Sequence, residues 1–88
     1  MNYDRLPEHM RESARAYVEH GRPPGDFLTA GLCNNLVEAA GRADEENQRA
    51  LFDWAGWLHN EVPMDAWGSP EKVRDWIAQH ASREEAAG

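Results

Sequence analysis

Eighty-eight residues with nine basic and sixteen acidic side chains carry a net charge of −7, the composition of one small acidic domain. Such a chain is a poor general binder of DNA or RNA, whose phosphates reward Lys and Arg, and a poor ligand for an anionic membrane leaflet. Short apolar stretches, one cysteine and four scattered histidines exclude a bilayer span, a signal peptide, an internal disulfide and zinc-finger spacing, so the chain is expected to be cytosolic, metal-free and without a cofactor.

The first predicted helix begins at Pro7, whose missing N–H suits a first helical position. Leu6, Met10, Ala14, Tyr17 and Val18 recur at helical steps, Gly21 supplies a C-cap, and Pro23-Pro24-Gly25 forbids continuation. Arg11, Arg15 and Arg22 fall along one edge, interleaved with Glu8, Glu12 and Glu19. The pairs Glu8–Arg11, Glu12–Arg15 and Arg15–Glu19 would each contribute only a few tenths of a kcal/mol, as on a solvated face.

A second helix is predicted from an Asp26 N-cap to Ala40, stopped by Gly41. Leu28, Leu32, Leu36 and Ala39 form one seam, and Phe27, Ala30 and Val37 lie opposite, so burial on both sides is expected. The third helix starts at Asp44, which can cap Glu46 and Asn47, and ends at Pro63. Leu51, Trp54, Ala55, Leu58 and Val62 make its core stripe. Phe52 and Trp57 widen the apolar arc to roughly 220°. Either this helix is central, or part of it meets another chain.

Ser69-Pro70-Glu71 opens a short fourth helix with Val73, Trp76 and Ile77 inward. No segment alternates like a strand. The expected fold is all-α: a compact bundle of four short helices with antiparallel neighbours, one domain over residues 1–81, and a frayed tail over 82–88.

Catalytic chemistry finds little support. Cys33 and His59 can be named as a pair, but a thiol on a buried helix is usually structural. His9, His20, His59 and His80 lack the HExxH step, and no phosphate-binding glycine loop is present. Asn35 falls near the leucine seam, where a buried amide must be hydrogen-bonded. It either ties the second helix to a loop such as Trp67-Gly68-Ser69 or, with Asn34, orients a ligand. Trp57 and Trp67 either finish the core or supply a contact, Trp57 being the preferred contact residue. From Ala43 to Glu71 seven acids face one base, Arg49, which leaves −6. That face serves solubility, or it competes with nucleic acid for a basic groove on a partner.

Arg5-Leu6-Pro7-Glu8-His9-Met10-Arg11, Tyr17-Val18-Glu19-His20-Gly21 and Pro23 through Thr29 carry a resemblance, continued by Asn34-Asn35-Leu36, Gly41 through Asp44 with Asn47, and Trp67 through Val73. Together they resemble small accessory proteins encoded by phages and prophages, among them anti-CRISPR proteins. The resemblance implies an acidic, non-enzymatic inhibitor in the bacterial host cytosol. It would bind a nucleic-acid-binding defence complex through Glu45, Glu46, Asp53, Trp57 and Glu61, with no direct contact to nucleic acid or membrane. The alternative is a homo-oligomeric sponge for a nucleotide second messenger, with Arg11, Arg15, Arg22, Asn34 and Asn35 lining a pocket between subunits.

Overall fold

The computed structural model describes residues 1–87, with side chains through Arg83. Among the described residues every regular element is helical: α1 (Glu8–His20), α2 (Asp26–Leu32), α3 (Leu36–Arg42), α4 (Glu45–Arg49), α5 (Leu51–Asn60), a 3-10 turn at Met64–Ala66, and α6 (Pro70–Ala87). The fold is all-α. It has six helices where four were expected, because the second and third predicted helices are each interrupted.

Pro7 directly precedes α1, and Gly21 ends it in the left-handed region with φ 63°, its N–H donating to the Tyr17 carbonyl at 2.8 Å. A Cβ at Gly21 would also run into His80. Glycine is required there twice over, by φ and by space.

The interruption between α2 and α3 is built by two asparagines. Asn34 takes φ 62°, and the Asn35 side chain accepts the Glu38 N–H at 3.2 Å, capping α3. Asn tolerates left-handed backbone better than most residues and is a strong N-cap, so the pair reorients the chain at low cost. The expected helix over Asp26 to Ala40 is therefore two helices. Leu36 and Val37, expected inside, stand 72% and 84% exposed.

Ala50 separates α4 from α5, its N–H shared between the Glu46 and Asn47 carbonyls at 3.1 and 3.2 Å. Asp44 caps α4 through the Asn47 N–H at 2.8 Å. At the start of α6 the Ser69 hydroxyl accepts the Lys72 N–H at 3.2 Å. The backbone of 82–87, expected to fray, continues α6; Gly88 lies outside the described residues.

The core gathers Leu6, Tyr17, Leu28, Leu32 and Trp57, all essentially sealed from solvent, with Tyr3, Phe27, Trp54 and Val73 around them. Each such side chain stabilises the fold by about 1.5–3 kcal/mol through burial. The turn before α6 is tied down at its ends. Gly68 N–H donates to the Leu32 carbonyl at 2.7 Å, and Tyr17 Oη donates to the Ala66 carbonyl at 2.6 Å. Trp76 Nε1 then reaches the Tyr17 carbonyl at 3.0 Å, joining α6 to α1. The turn Trp67-Gly68-Ser69 thus docks on the end of α2 through backbone, where Asn35 was the expected tie. The buried amide is Asn47, whose Oδ1 accepts Trp54 Nε1 at 3.1 Å; Asn35 is exposed. Among the described residues no helix is long and apolar enough to cross a membrane.

Candidate functional site: two grooves and an acidic side

The acidic contact residues stand in two places, at the start of α4 beside His9 of α1, and on and after α5 against the segment that precedes α1. Asp44, Glu45 and Glu46 stand at the first turn of α4, favoured there by the positive end of the helix dipole. His9 on α1 reaches Asp44 with Nε2 at 2.9 Å and Glu46 with Nδ1 at 3.4 Å. Bonding to the Asn47 N–H and to His9 holds the Asp44 carboxyl below its ordinary pKa. Glu45 pairs with Arg49 at 2.7 Å, Asp53 with Arg5 at 3.3 Å, and Glu61 accepts the Asn2 N–H at 2.8 Å. Every predicted acidic contact residue has an internal partner. Exposed pairs of this kind are weak, so the carboxylates stay solvated and exchangeable.

Trp57 is a correction. It is 0% exposed, packed against Tyr3 at 6.0 Å and Trp54 at 5.7 Å between ring centroids. It finishes the core and cannot anchor a partner. Phe52, the other residue of the wide apolar arc, is 84% exposed.

Arg11, Arg15 and Arg22 do come together, lining an open groove of about 570 Å³ along α1 with Glu8, Glu12 and His20. Only one of the three expected ion pairs along this helix forms, Arg15 with Glu19 at 3.4 Å. The Arg15 guanidinium also lies 5.0 Å from the centre of the Tyr3 ring. Arg11 turns back to the carbonyls of Leu6 and Asp4, both at 3.0 Å. Asn34 and Asn35 line a different cavity, so the five residues expected around one ligand are divided between two places.

That second cavity is an apolar groove of about 210 Å³ between α2–α3 and α5, walled by Phe27, Leu28, Leu36, Leu51, Trp54 and Trp67 with Asn34 and Asn35 also lining it. The interruption at Asn34 creates it by turning α3 away from the line of α2. Sequence reasoning did not assign this groove. Its signals were the two-sided apolar character of residues 27–37 and the excess width of the α5 arc.

Cys33 is half-buried beside α6, and burial, with Glu71 nearby, pushes its thiol above the ordinary value. Among the described residues no group of three His, Cys, Asp or Glu side chains is placed to hold a metal ion. Comparison with protein-family models, curated proteins and solved structures found no match to this chain.

Proposed function

We propose that this protein is a non-catalytic, anti-CRISPR-like inhibitor of a bacterial antiviral defence, encoded by a phage or prophage and acting in the host cytosol. It binds a nucleic-acid-binding effector complex and competes with its DNA. The observation that carries this reading is the solvation of the carboxylates at the start of α4: the side chains of Glu45 and Glu46 are 77% and 70% exposed, and Asp53 and Glu61 follow on and after α5. Carboxylates held this way complement a Lys/Arg surface that otherwise receives phosphates, and steer the encounter by long-range attraction.

The test is competition between this protein and labelled target DNA on a panel of purified effector complexes at rising salt. Displacement of DNA that weakens with salt supports the reading. Inhibition that leaves DNA bound, or an affinity indifferent to salt, overturns it.

A second reading is favoured by one observation, the convergence of Arg11, Arg15 and Arg22 on one groove. A homo-oligomeric sponge for a nucleotide second messenger would use those guanidiniums as phosphate forks. Calorimetry against a panel of cyclic nucleotides, with light scattering for oligomeric state, separates the two. A monomer that binds none of them removes this alternative.

A further inference from the structure

We infer that Asp53 and Gly56 form an arginine-binding cradle on α5, held in the free chain by the chain's own Arg5 and open to an arginine of a partner protein. The cradle follows from this chain's own contacts; that the partner is a defence complex rests on the reading above. The segment before α1 lies against α5, with Tyr3 packed on Trp57 and both Tyr3 and Leu6 buried. Between those two anchors Arg5 places its guanidinium over Gly56, where a Cβ would run into it. Gly56 is the one glycine of α5, in a helix interior that favours alanine, and its missing side chain is the room that the guanidinium takes. Asp53, three residues earlier on the same helix, supplies the opposite charge.

The present occupant is loosely held. Arg5 Nε and Nη2 both donate to the single oxygen Oδ1 of Asp53, at 3.4 and 3.3 Å, and the two side chains are 39% and 47% exposed. A guanidinium docked as a fork would use both carboxylate oxygens at shorter range. Exposed pairs such as this one exchange at little cost. The backbone on either side of Arg5 is fixed, because Arg11 donates to the Asp4 and Leu6 carbonyls, both at 3.0 Å. Arg5 can therefore leave Asp53 by moving its side chain alone, with Tyr3, Leu6 and Trp57 still packed. The floor selects the ligand class. A bare glycine beside a carboxylate admits the broad planar guanidinium, whereas lysine, a point charge on a flexible stem, gains less from the space.

The probe is a labelled peptide of arginine and glycine, paired with the same peptide carrying lysine for arginine, titrated at low salt by fluorescence anisotropy. Arg5→Ala vacates the cradle. Arg22→Ala removes the same charge from the groove along α1 and is the control. Gly56→Ala added to Arg5→Ala fills the cradle at unchanged charge, Asp53→Asn added to Arg5→Ala removes its carboxylate, and circular dichroism checks that each variant folds. Arg5→Ala is expected to bind the arginine peptide at least about three-fold more tightly than Arg22→Ala does, the scale of one exposed ion pair. Either added substitution should abolish that gain, and the lysine peptide should show less of it. Equal binding by Arg5→Ala and Arg22→Ala, a gain that survives Gly56→Ala or Asp53→Asn, or an equal gain with the lysine peptide would overturn the inference. No effector complex enters this assay, so the cradle can fail while the native chain still displaces DNA, and can stand where it does not.

Discussion

Trp57 shows how one side chain decides which face of a helix is inside. Its indole fills the space between Tyr3 and Trp54, and Nε1 meets no protein acceptor although the residue is wholly buried. An unpartnered buried donor costs about 1–3 kcal/mol, so packing area must outweigh it here. Trp57→Ala should lower the unfolding free energy by about 3–5 kcal/mol. Trp57→Phe should cost less, because it deletes the unpartnered donor along with part of the ring; urea unfolding of both variants checks the order. The tyrosines give a second prediction at this scale. Burial, then the hydrogen bond to Glu19, pushes Tyr3 from 10.0 up to about 12, and burial raises Tyr17 as well. In the unfolded chain both ionise near pH 10, while the folded chain keeps its phenolic protons. Their contribution is therefore complete below pH 10 and lost as pH rises toward 12, since the unfolded state then binds fewer protons. Urea midpoints should fall across that interval, and Tyr3→Phe should make the fall shallower. A midpoint flat from pH 9 to 12 would contradict the burial argument.

Between α2 and α3 the chain turns on Asn34, and the turn makes the apolar groove. A β-branched residue cannot take φ 62° cheaply, so Asn34→Val should destabilise by about 1–2 kcal/mol, while Asn34→Gly should be near neutral. Thermal unfolding of the two variants measures this directly, and equal melting temperatures would show that the left-handed turn is not required. Much of the fold was readable beforehand because its punctuation is chemical: Gly21 stops α1, Asp44 caps α4, Ser69 caps α6. The interruption at Asn34-Asn35 was hidden, since Leu28, Leu32, Leu36 and Ala39 keep helical steps of four, four and three residues straight through it. Periodicity measures spacing along a helix and is blind to a turn that preserves the count. The asparagine pair was the available signal, but Asn35, falling beside the leucine seam, reads as a buried tie or, with Asn34, as a ligand contact. Tyr3 was missed for a different reason. It precedes any helical pattern, and only the folded chain lays it over Trp57 and beneath Arg15. Of the candidate site, the exposure of Glu45 and Glu46 was legible from the sequence, because charged side chains at a helix start need no tertiary information to stay solvated. The groove was not, because it exists only between elements.

Across the whole molecule, the uneven charge is either a solubility device or a steering device, and kinetics tell them apart. Glu45→Gln with Glu46→Gln reduces the net charge from −7 to −5 and leaves the Asp44 cap and its contact with His9 in place. Both side chains lie at the solvated start of α4, so the core is untouched. If this side steers the encounter with a basic effector surface, the double variant should associate about three- to ten-fold more slowly at low ionic strength. Dissociation should change little, because solvated carboxylates contribute less to the bound state than to the approach. The difference should vanish as salt shortens the screening length from about 10 Å at 0.1 M to about 3 Å at 1 M, below the distance over which the approach is guided. Stopped-flow association of native and variant chains at several salt concentrations supplies both numbers. Identical association rates at low salt would leave the carboxylates with solubility alone.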